Sequence, residues 1–138
     1  MSKPHKNPSC PCGNADYTTC CGRFIEQAQL PPSAALLMRS RYSAFVLHDE
    51  VYLQASWHPS TRPQDAIIDR ESAPKWLGLE IRHSQESGEQ ATVEFVARYK
   101  IDGHAHRLHE ISRFLREEVD GQARWFYLDG SFPESTKQ

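Results

Sequence analysis

All four cysteines of the chain fall within twelve consecutive residues near its start, as Cys10-Pro-Cys12 followed by the adjacent pair Cys20 and Cys21. Four thiolates supply the tetrahedral ligand set that zinc prefers, and a site with four protein ligands is closed to substrate. Successive side chains of a helix are about 100° apart, so Cys20 and Cys21 can reach one ion from a helical turn. We therefore expect a structural metal site, with Cys20 and Cys21 in the first turn of a helix that continues through residues 23–26.

Two alternatives remain for these cysteines: reduced thiols without a metal, and disulfides. Residues 1–11 include lysines but no apolar run of signal-peptide length, and no stretch approaches about eighteen consecutive apolar residues. A cytoplasmic location without membrane binding is therefore expected, and disulfides are rare in the cytosol. Sulfur ligands favour zinc as the cofactor and leave iron as the alternative metal.

The distribution of charge argues against a strong electrostatic partner. The chain of 138 residues has a formal net charge of −2. Residues 1–41 carry five Lys and Arg against two Asp and Glu, a net of +3, which leaves −5 for the remainder. Four thiolates around a divalent ion carry about −2, so a metal centre would offset most of the basic end. Strong binding to nucleic acid or to an anionic membrane is not expected.

Helices are predicted before strands. Ser33 is a suitable N-cap for a helix that starts at Ala34. Its apolar residues recur at steps of three and four, namely Leu37, Met38, Tyr42, Phe45 and Val46. Asp49 is a suitable N-cap for a second helix, residues 50–57, which ends near His58 because of Pro59. A third, short helix is predicted for residues 63–69.

The period changes to two after Pro74, which predicts strands. Leu77, Leu79 and Ile81 alternate with other residues, residues 91–99 do the same, and two more strands are expected at about 106–116 and 123–129. Ser-Gly at 87–88 and Asp-Gly at 102–103 and 120–121 predict the hairpin turns. The expected fold is α+β, with a metal knuckle at residues 1–30 and, at 31–138, helices packed on a curved antiparallel sheet whose concave side forms a pocket.

Motifs along nearly the whole chain resemble those of the YchJ family. They are CPCG at 10–13, CCG at 20–22, LMRSRYSAF at 37–45, WHP at 57–59, WLGL at 76–79, FVAR at 95–98, SRFL at 112–115, WFY at 125–127 and DG at 129–130. The resemblance implies an N-terminal SEC-C zinc motif joined to a cone-shaped domain similar to nuclear transport factor two. The family is named for its sequence and not for a known activity.

Nine residues are candidates for lining the pocket, because they add charge, hydroxyl or aromatic surface to faces that the pattern buries: Arg39, Arg41, Tyr42, Trp57, His58, Trp76, Glu110, Ser112 and Arg113. An arginine there would grip an anion, although buried arginines more often pair with a carboxylate such as Glu110 or Asp129. His58 is a candidate base, with a helix cap or core donor as the plainer role. Arg113 is equally suited to neutralise a carboxylate across the sheet, and the aromatic residues to fill the core.

The favoured hypothesis is a metal-binding adaptor. Its knuckle would recognise a protein or ribonucleoprotein partner, and its main domain would bind a small ligand or another protein. No nucleophile motif or phosphate loop is present, so no catalytic residue is assigned. One alternative is an isomerase or dehydratase in which Glu110 or His58 moves a proton and Arg39 or Arg41 stabilises negative charge. Another is nucleic-acid binding through the basic N-terminal knuckle.

Overall fold

In the described part of the chain, three helices precede a four-stranded antiparallel sheet. The structure is a computed structural model that describes residues 9–14, 16–69, 71 and 73–133. The elements are α1 (Gly22–Ile25), α2 (Ala34–Leu47), α3 (Glu50–Ala55), β1 (Lys75–Ser87), β2 (Gln90–Ile101), β3 (His104–Val119) and β4 (Gln122–Ser131). The strands are hydrogen-bonded in chain order, β1-β2-β3-β4. The predicted α+β class is confirmed; the first eight residues of the predicted knuckle lie outside the described residues.

Both predicted N-caps are present. The Ser33 hydroxyl accepts a hydrogen bond from the Leu36 amide at 3.2 Å, and the Asp49 carboxylate accepts one from the Tyr52 amide at 3.0 Å. Helix α3 ends at Ala55, two residues before the predicted end. The chain turns toward β4 at this point, because the His58 amide donates to the Tyr127 carbonyl at 2.7 Å.

The prediction of a short helix at residues 63–69 is wrong. None of the described residues in this range is helical. The amides of Ile67 and Ile68 instead donate to the Glu50 carboxylate, at 2.8 and 3.0 Å. A side chain of α3 therefore satisfies donors that a helix would have used internally.

A bulge at the start of β1 changes the predicted alternation. The pairing with β2 is irregular between Trp76 and Gly78, and Leu77 at the bulge is 48% exposed. Trp76 lies opposite Tyr99. An extra residue shifts the phase of a strand, so Leu77 does not continue the buried face. The Asp-Gly turns are confirmed, with positive φ at both residues of each turn.

The core lies between α2 and one face of the sheet. Helix α2 contributes Ala34, Leu37, Met38 and Tyr42, and the sheet contributes Ala91, Val93, Phe95, Ala97, Phe114 and Trp125. The four cysteines belong to the same buried cluster, at 1 to 5% exposure. Helix α2 is thus packed between the cysteine segment and the sheet. Among the described residues, no helix combines the length and apolar character needed to span a membrane.

Candidate functional site

The four cysteine sulfurs converge on one point. Every Sγ atom of Cys10, Cys12, Cys20 and Cys21 lies within 4.8 Å of the others. The Cys12 and Cys20 sulfurs are 3.6 Å apart, and the Cys20 and Cys21 sulfurs are 4.0 Å apart. A tetrahedral ion with metal–sulfur bonds of about 2.3 Å requires sulfur–sulfur distances of about 3.8 Å. The arrangement therefore has the spacing of a four-sulfur metal site.

Two short turns bring the cysteines together. The Cys10 amide donates to the Asn14 carbonyl at 3.1 Å, and the Gly13 amide donates to the Cys10 carbonyl at 3.0 Å. Gly13 has a φ of 112°, which residues with a side chain rarely adopt. Cys21 is the N-cap of the single-turn helix α1, so the helix begins at Gly22, two residues after Cys20, which the sequence places in its first turn. The side-chain Nδ2 of Asn14 also donates to the Cys20 sulfur at 3.0 Å.

Hydrogen bonding couples the pKa values of two thiols in the cluster. A hydrogen bond from the Cys21 thiol lowers the pKa of Cys12, and the same contact raises the pKa of Cys21. One thiolate is therefore stabilised by its protonated neighbour. A bound cation removes this competition, because metal ligation deprotonates coordinating thiols.

Helix α2 is held to the cysteine cluster by one face. The Ser43 hydroxyl lies 3.6 Å from the Cys10 sulfur, and the Arg39 guanidinium donates to the Cys12 carbonyl at 3.2 Å. Residues 39 and 43 are one helical turn apart and share a face. Arg39 therefore supports the cysteine segment and does not line the cavity on the other face of α2.

The other face of α2 lines a cavity of about 320 Å³ between the helix and the sheet. Its apolar and aromatic walls are Met38, Tyr42, Phe45, Trp57, Ile67, Trp76, Phe95, Ala97 and Leu108. Its polar lining consists of Arg41, Glu110, Ser112 and Tyr127. A volume near the lower end of the range for ligand pockets, with few polar groups in apolar walls, is typical of a site for a small molecule.

Arg41 is a buried cation in this cavity, only 3% exposed. Its Nη1 donates to the Leu53 carbonyl at 3.0 Å and to the Ser56 hydroxyl at 2.6 Å. The guanidinium also lies over the Tyr127 ring, with its carbon 4.5 Å from the ring centroid. Burial lowers the pKa of Arg41 to about 10, so the group remains charged at neutral pH. These contacts fix the charge at the cavity wall.

Glu110 is the buried acid of the cavity, 7% exposed. Its Oε2 accepts hydrogen bonds from the Ser112 hydroxyl at 2.8 Å and from the Tyr127 hydroxyl at 3.0 Å. Burial, followed by the negative charge of Glu110, raises the pKa of Tyr127, so its hydroxyl stays protonated and remains a donor. Gly130 lies beside the carboxylate, and a Cβ at that position would be 2.7 Å from the Glu110 Cδ.

The structure divides the nine predicted pocket residues into six that line the cavity and three that do not, namely Arg39, His58 and Arg113. Six of them line the cavity together: Arg41, Tyr42, Trp57, Trp76, Glu110 and Ser112. His58 instead bonds to Ser60 at 2.7 Å and to Glu117 at 2.8 Å. Arg113 is exposed and donates to both oxygens of Asp129, at 2.7 and 2.6 Å. The pairing of Arg39 or Arg41 with Glu110 or Asp129 is therefore not found, whereas the cross-sheet role of Arg113 is present.

The main domain matches a known family. The family model described as "YchJ, middle NTF2-like domain" matches residues 33–130, which run from the N-cap of α2 to the residue before the last of β4. The chain belongs to the YchJ family. A UPF0225 protein of Ralstonia nicotianae is 52% identical over 137 residues, covering 94% of this chain and 95% of the relative. One from Cupriavidus metallidurans is 54% identical over 128 residues, covering 91% of this chain and 89% of the relative.

Two solved structures share the fold of this family member. A SEC-C motif containing protein from Rhodopseudomonas palustris superposes with a TM-score of 0.74 at 31% identity, covering 91% of this chain and 98% of that one. A SEC-C motif containing protein from Psychrobacter arcticus gives a TM-score of 0.72 at 28% identity, covering 88% and 80%. The resemblance drawn from the sequence motifs is thereby confirmed for the family and the fold.

Sequence reasoning missed several contributors to the cavity. Gly130 matters through the space it leaves for the Glu110 carboxylate, and Ser56 through its bond to Arg41. Both contacts are long-range, and a sequence of one protein carries no direct signal for them. Tyr127 had a weak signal, since its aromatic ring falls on a predicted strand. On the sequence alone, this ring is suited either to line a ligand pocket or to fill the core.

Proposed function

We propose that this protein binds a small molecule in the cavity between α2 and the sheet, and that a zinc ion held by Cys10, Cys12, Cys20 and Cys21 stabilises the helix that lines it. The observation that carries the proposal is the pair of buried charged residues, Arg41 and Glu110, set in otherwise apolar walls. Buried charges are costly unless they are compensated, so a site that retains two of them without a direct ion pair is typical of a functional site.

Zinc supports this function structurally. A site with four cysteine ligands has no open position, so the ion would not contact the ligand. Its effect would pass through Arg39 and Ser43, which connect α2 to the cysteine segment. The opposite face of the same helix supplies Arg41 to the cavity. The metal thereby has a role in folding and none in chemistry.

Ligand binding is tested by nuclear magnetic resonance titration of the zinc-loaded, full-length protein with ring-sized probes. Binding in the cavity should shift the indole signals of Trp57 and Trp76, which line it, and leave that of Trp125 unchanged. Ala97→Leu fills part of the cavity and should weaken binding about tenfold or more; Ala123→Leu, an exposed position on β4, is the matched control. If Ala97→Leu does not fold, Ala97→Val replaces it. Absence of binding at millimolar concentrations, or equal binding to the folded cavity variant, contradicts the proposal.

A second candidate function is proton transfer next to a carbonyl group. It is favoured by the Glu110 carboxylate, which lies in the same cavity as the Arg41 cation and the Tyr127 hydroxyl. Glu110 would remove a proton, and Arg41 would stabilise the enolate oxygen. In D₂O, the wild-type protein should then speed exchange of the α-hydrogens of cyclohexanone, and Glu110→Gln should not. Equal exchange rates with and without the wild-type protein would exclude this reaction for that probe.

Recognition of a protein or ribonucleoprotein partner by the cysteine segment remains a prediction. Because the four cysteines are buried, substituting them would disturb the core as well as any contact surface. A sharper test replaces the exposed Thr18 and Thr19 between the cysteine pairs with arginine and compares the partners recovered with those of the wild type. Identical recovery would remove this surface from recognition.

A further inference from the structure

Arg41 and Glu110 are the two charged residues among those that line the cavity. Among the described residues they form no direct ion pair with each other. The hydrogen bonds of the guanidinium all involve Nη1, and those of the carboxylate all involve Oε2. Donors on Arg41 and an acceptor oxygen on Glu110 are thus left without a protein partner inside the described part of the chain.

These two sets of unused groups require opposite chemistry from a ligand. The guanidinium has donors and no acceptor, so it needs an acceptor atom. An ionised carboxylate has acceptors and no donor, so Glu110 needs a donor atom. Ser112 and Tyr127 both donate to Glu110, which leaves the Tyr127 and Ser112 hydroxyl protons already in use. A ligand that carries an acceptor and a donor on one end satisfies both residues at once.

The balance of charge selects among such ligands. One cation and one carboxylate leave the cavity lining neutral, and the walls are mainly aromatic and apolar. A ligand anion would leave a net negative charge in this apolar space, and a ligand cation would leave a net positive one. Either arrangement carries an uncompensated buried charge, which is unfavourable in a medium of low polarity.

We infer that the cavity selects a neutral, ring-sized molecule that carries a hydrogen-bond acceptor for Arg41 beside a hydrogen-bond donor for Glu110, as in a primary carboxamide or a hydroxy-carbonyl compound. The inference rests on the proposed function and adds the chemical class of the ligand to it. The apolar body packs against Trp57 and Trp76, and the polar end bridges the two buried charges.

Four probes of similar shape separate these requirements. Benzamide offers an acceptor and a donor, benzoate offers acceptors with a negative charge, benzamidine offers donors with a positive charge, and toluene offers neither. Each is titrated into the zinc-loaded, full-length protein, and the shifts of the Trp57 and Trp76 indole signals give the dissociation constants. Benzamide should bind about tenfold or more tightly than each of the others, since hydrogen bonds to charged groups discriminate by at least this factor.

Substitution of one charge should change the ranking. Glu110→Gln keeps the shape of the side chain and removes its charge, so benzoate should then bind more tightly than benzamide, through Arg41. Glu118→Gln, at an exposed position near the end of β3, is the matched control and should keep the wild-type ranking. If Glu110→Gln fails to fold, the ranking of the four probes on the wild-type protein decides the question.

The outcomes separate this inference from the proposed function. Toluene binding as tightly as benzamide overturns the ligand class while the cavity remains a binding site. Benzoate or benzamidine ranking first on the wild-type protein also overturns it, because the charged residues would then select an ion. Failure of all four probes to shift the two indole signals contradicts the proposed function, and the ligand class with it.

Discussion

Replacement of Gly130 by alanine tests whether Glu110 is held in one place. In the register of β3 and β4, Gly130 lies opposite Ser112. A Cβ on residue 130 would have the Oε2, Cδ and Cγ atoms of Glu110 as its three nearest neighbours, with Cδ at 2.7 Å and Cγ at 2.9 Å. These distances are too short for non-bonded atoms, so the carboxylate must move. An exposed glutamate would move at little cost, whereas Glu110 is 7% exposed.

The cost follows from the hydrogen bonds that Glu110 would lose. It accepts bonds from Ser112 and Tyr127, and a bond to a charged group is worth about 1.5–3 kcal/mol. If the moved carboxylate keeps part of one bond, the loss of stability is smaller than the sum of the two bonds. Overpacking of a core typically costs about 1–3 kcal/mol. Alanine also lowers the conformational entropy of the unfolded chain relative to glycine, which stabilises the protein by about 0.4–1 kcal/mol. This gain applies here because residue 130 does not have a positive φ. We therefore expect Gly130→Ala to destabilise the protein by about 1–2 kcal/mol.

A double-mutant cycle measured by urea unfolding isolates this contact. A loss of about 1.5 kcal/mol corresponds to a fall of about 5 °C in Tm for a chain of 138 residues. In the background of Glu110→Ala no carboxylate meets the new methyl group, so Gly130→Ala should become neutral or slightly stabilising. Equal losses of stability in both backgrounds would show that the carboxylate is not where the structure places it, and the reasoning would be refuted.

Three further predictions concern other parts of the molecule. The guanidinium of Arg113 lowers the pKa of Asp129 below its ordinary value of 3.8, so their contact stabilises the fold above that pH and is lost as the pH falls through the lowered pKa. Arg113→Met should return the Asp129 pKa toward 3.8 in a ¹³C NMR titration, and an unchanged pKa would contradict the pairing. Leu37→Ala, at a 1% exposed position, should cost about 2–5 kcal/mol in urea unfolding, whereas Leu77→Ala at the exposed bulge should change stability by less than about 0.5 kcal/mol; similar losses would place Leu77 in the core. Asp49→Ala should cost about 1 kcal/mol through loss of the α3 N-cap, and Asp49→Asn should restore most of it; an equal loss in both variants would exclude capping as the cause.

The sequence predicted the parts of the fold that depend on local chemistry. Ser33 and Asp49 cap helices because their side chains accept bonds from amides three residues later, and this spacing is visible in the sequence. The Asp-Gly turns depend on two residues that tolerate positive φ. The convergence of the four cysteines follows from their short separation. Each of these features is decided within a few residues.

The parts that were missed depend on contacts between distant segments. Residues 63–69 were predicted as a helix, but their amides are satisfied by Glu50 of α3, which the local pattern does not reveal. Leu77 follows the apolar alternation in the sequence, yet a bulge turns it outward. The two arginines of α2 look equivalent, although Arg39 faces the cysteine segment and Arg41 faces the cavity. Their two positions differ by about 200° around the helix axis, and only the packing on both sides decides which is which.

Binding of one zinc ion by the four cysteines is the claim on which the rest most depends, because α2 packs on that cluster with one face and lines the cavity with the other. X-ray absorption at the zinc edge tests it directly on protein purified without chelator. We predict one zinc ion per chain, surrounded by four sulfur atoms at about 2.3 Å. A shell that contains nitrogen or oxygen ligands, or a zinc content well below one per chain, would contradict the claim.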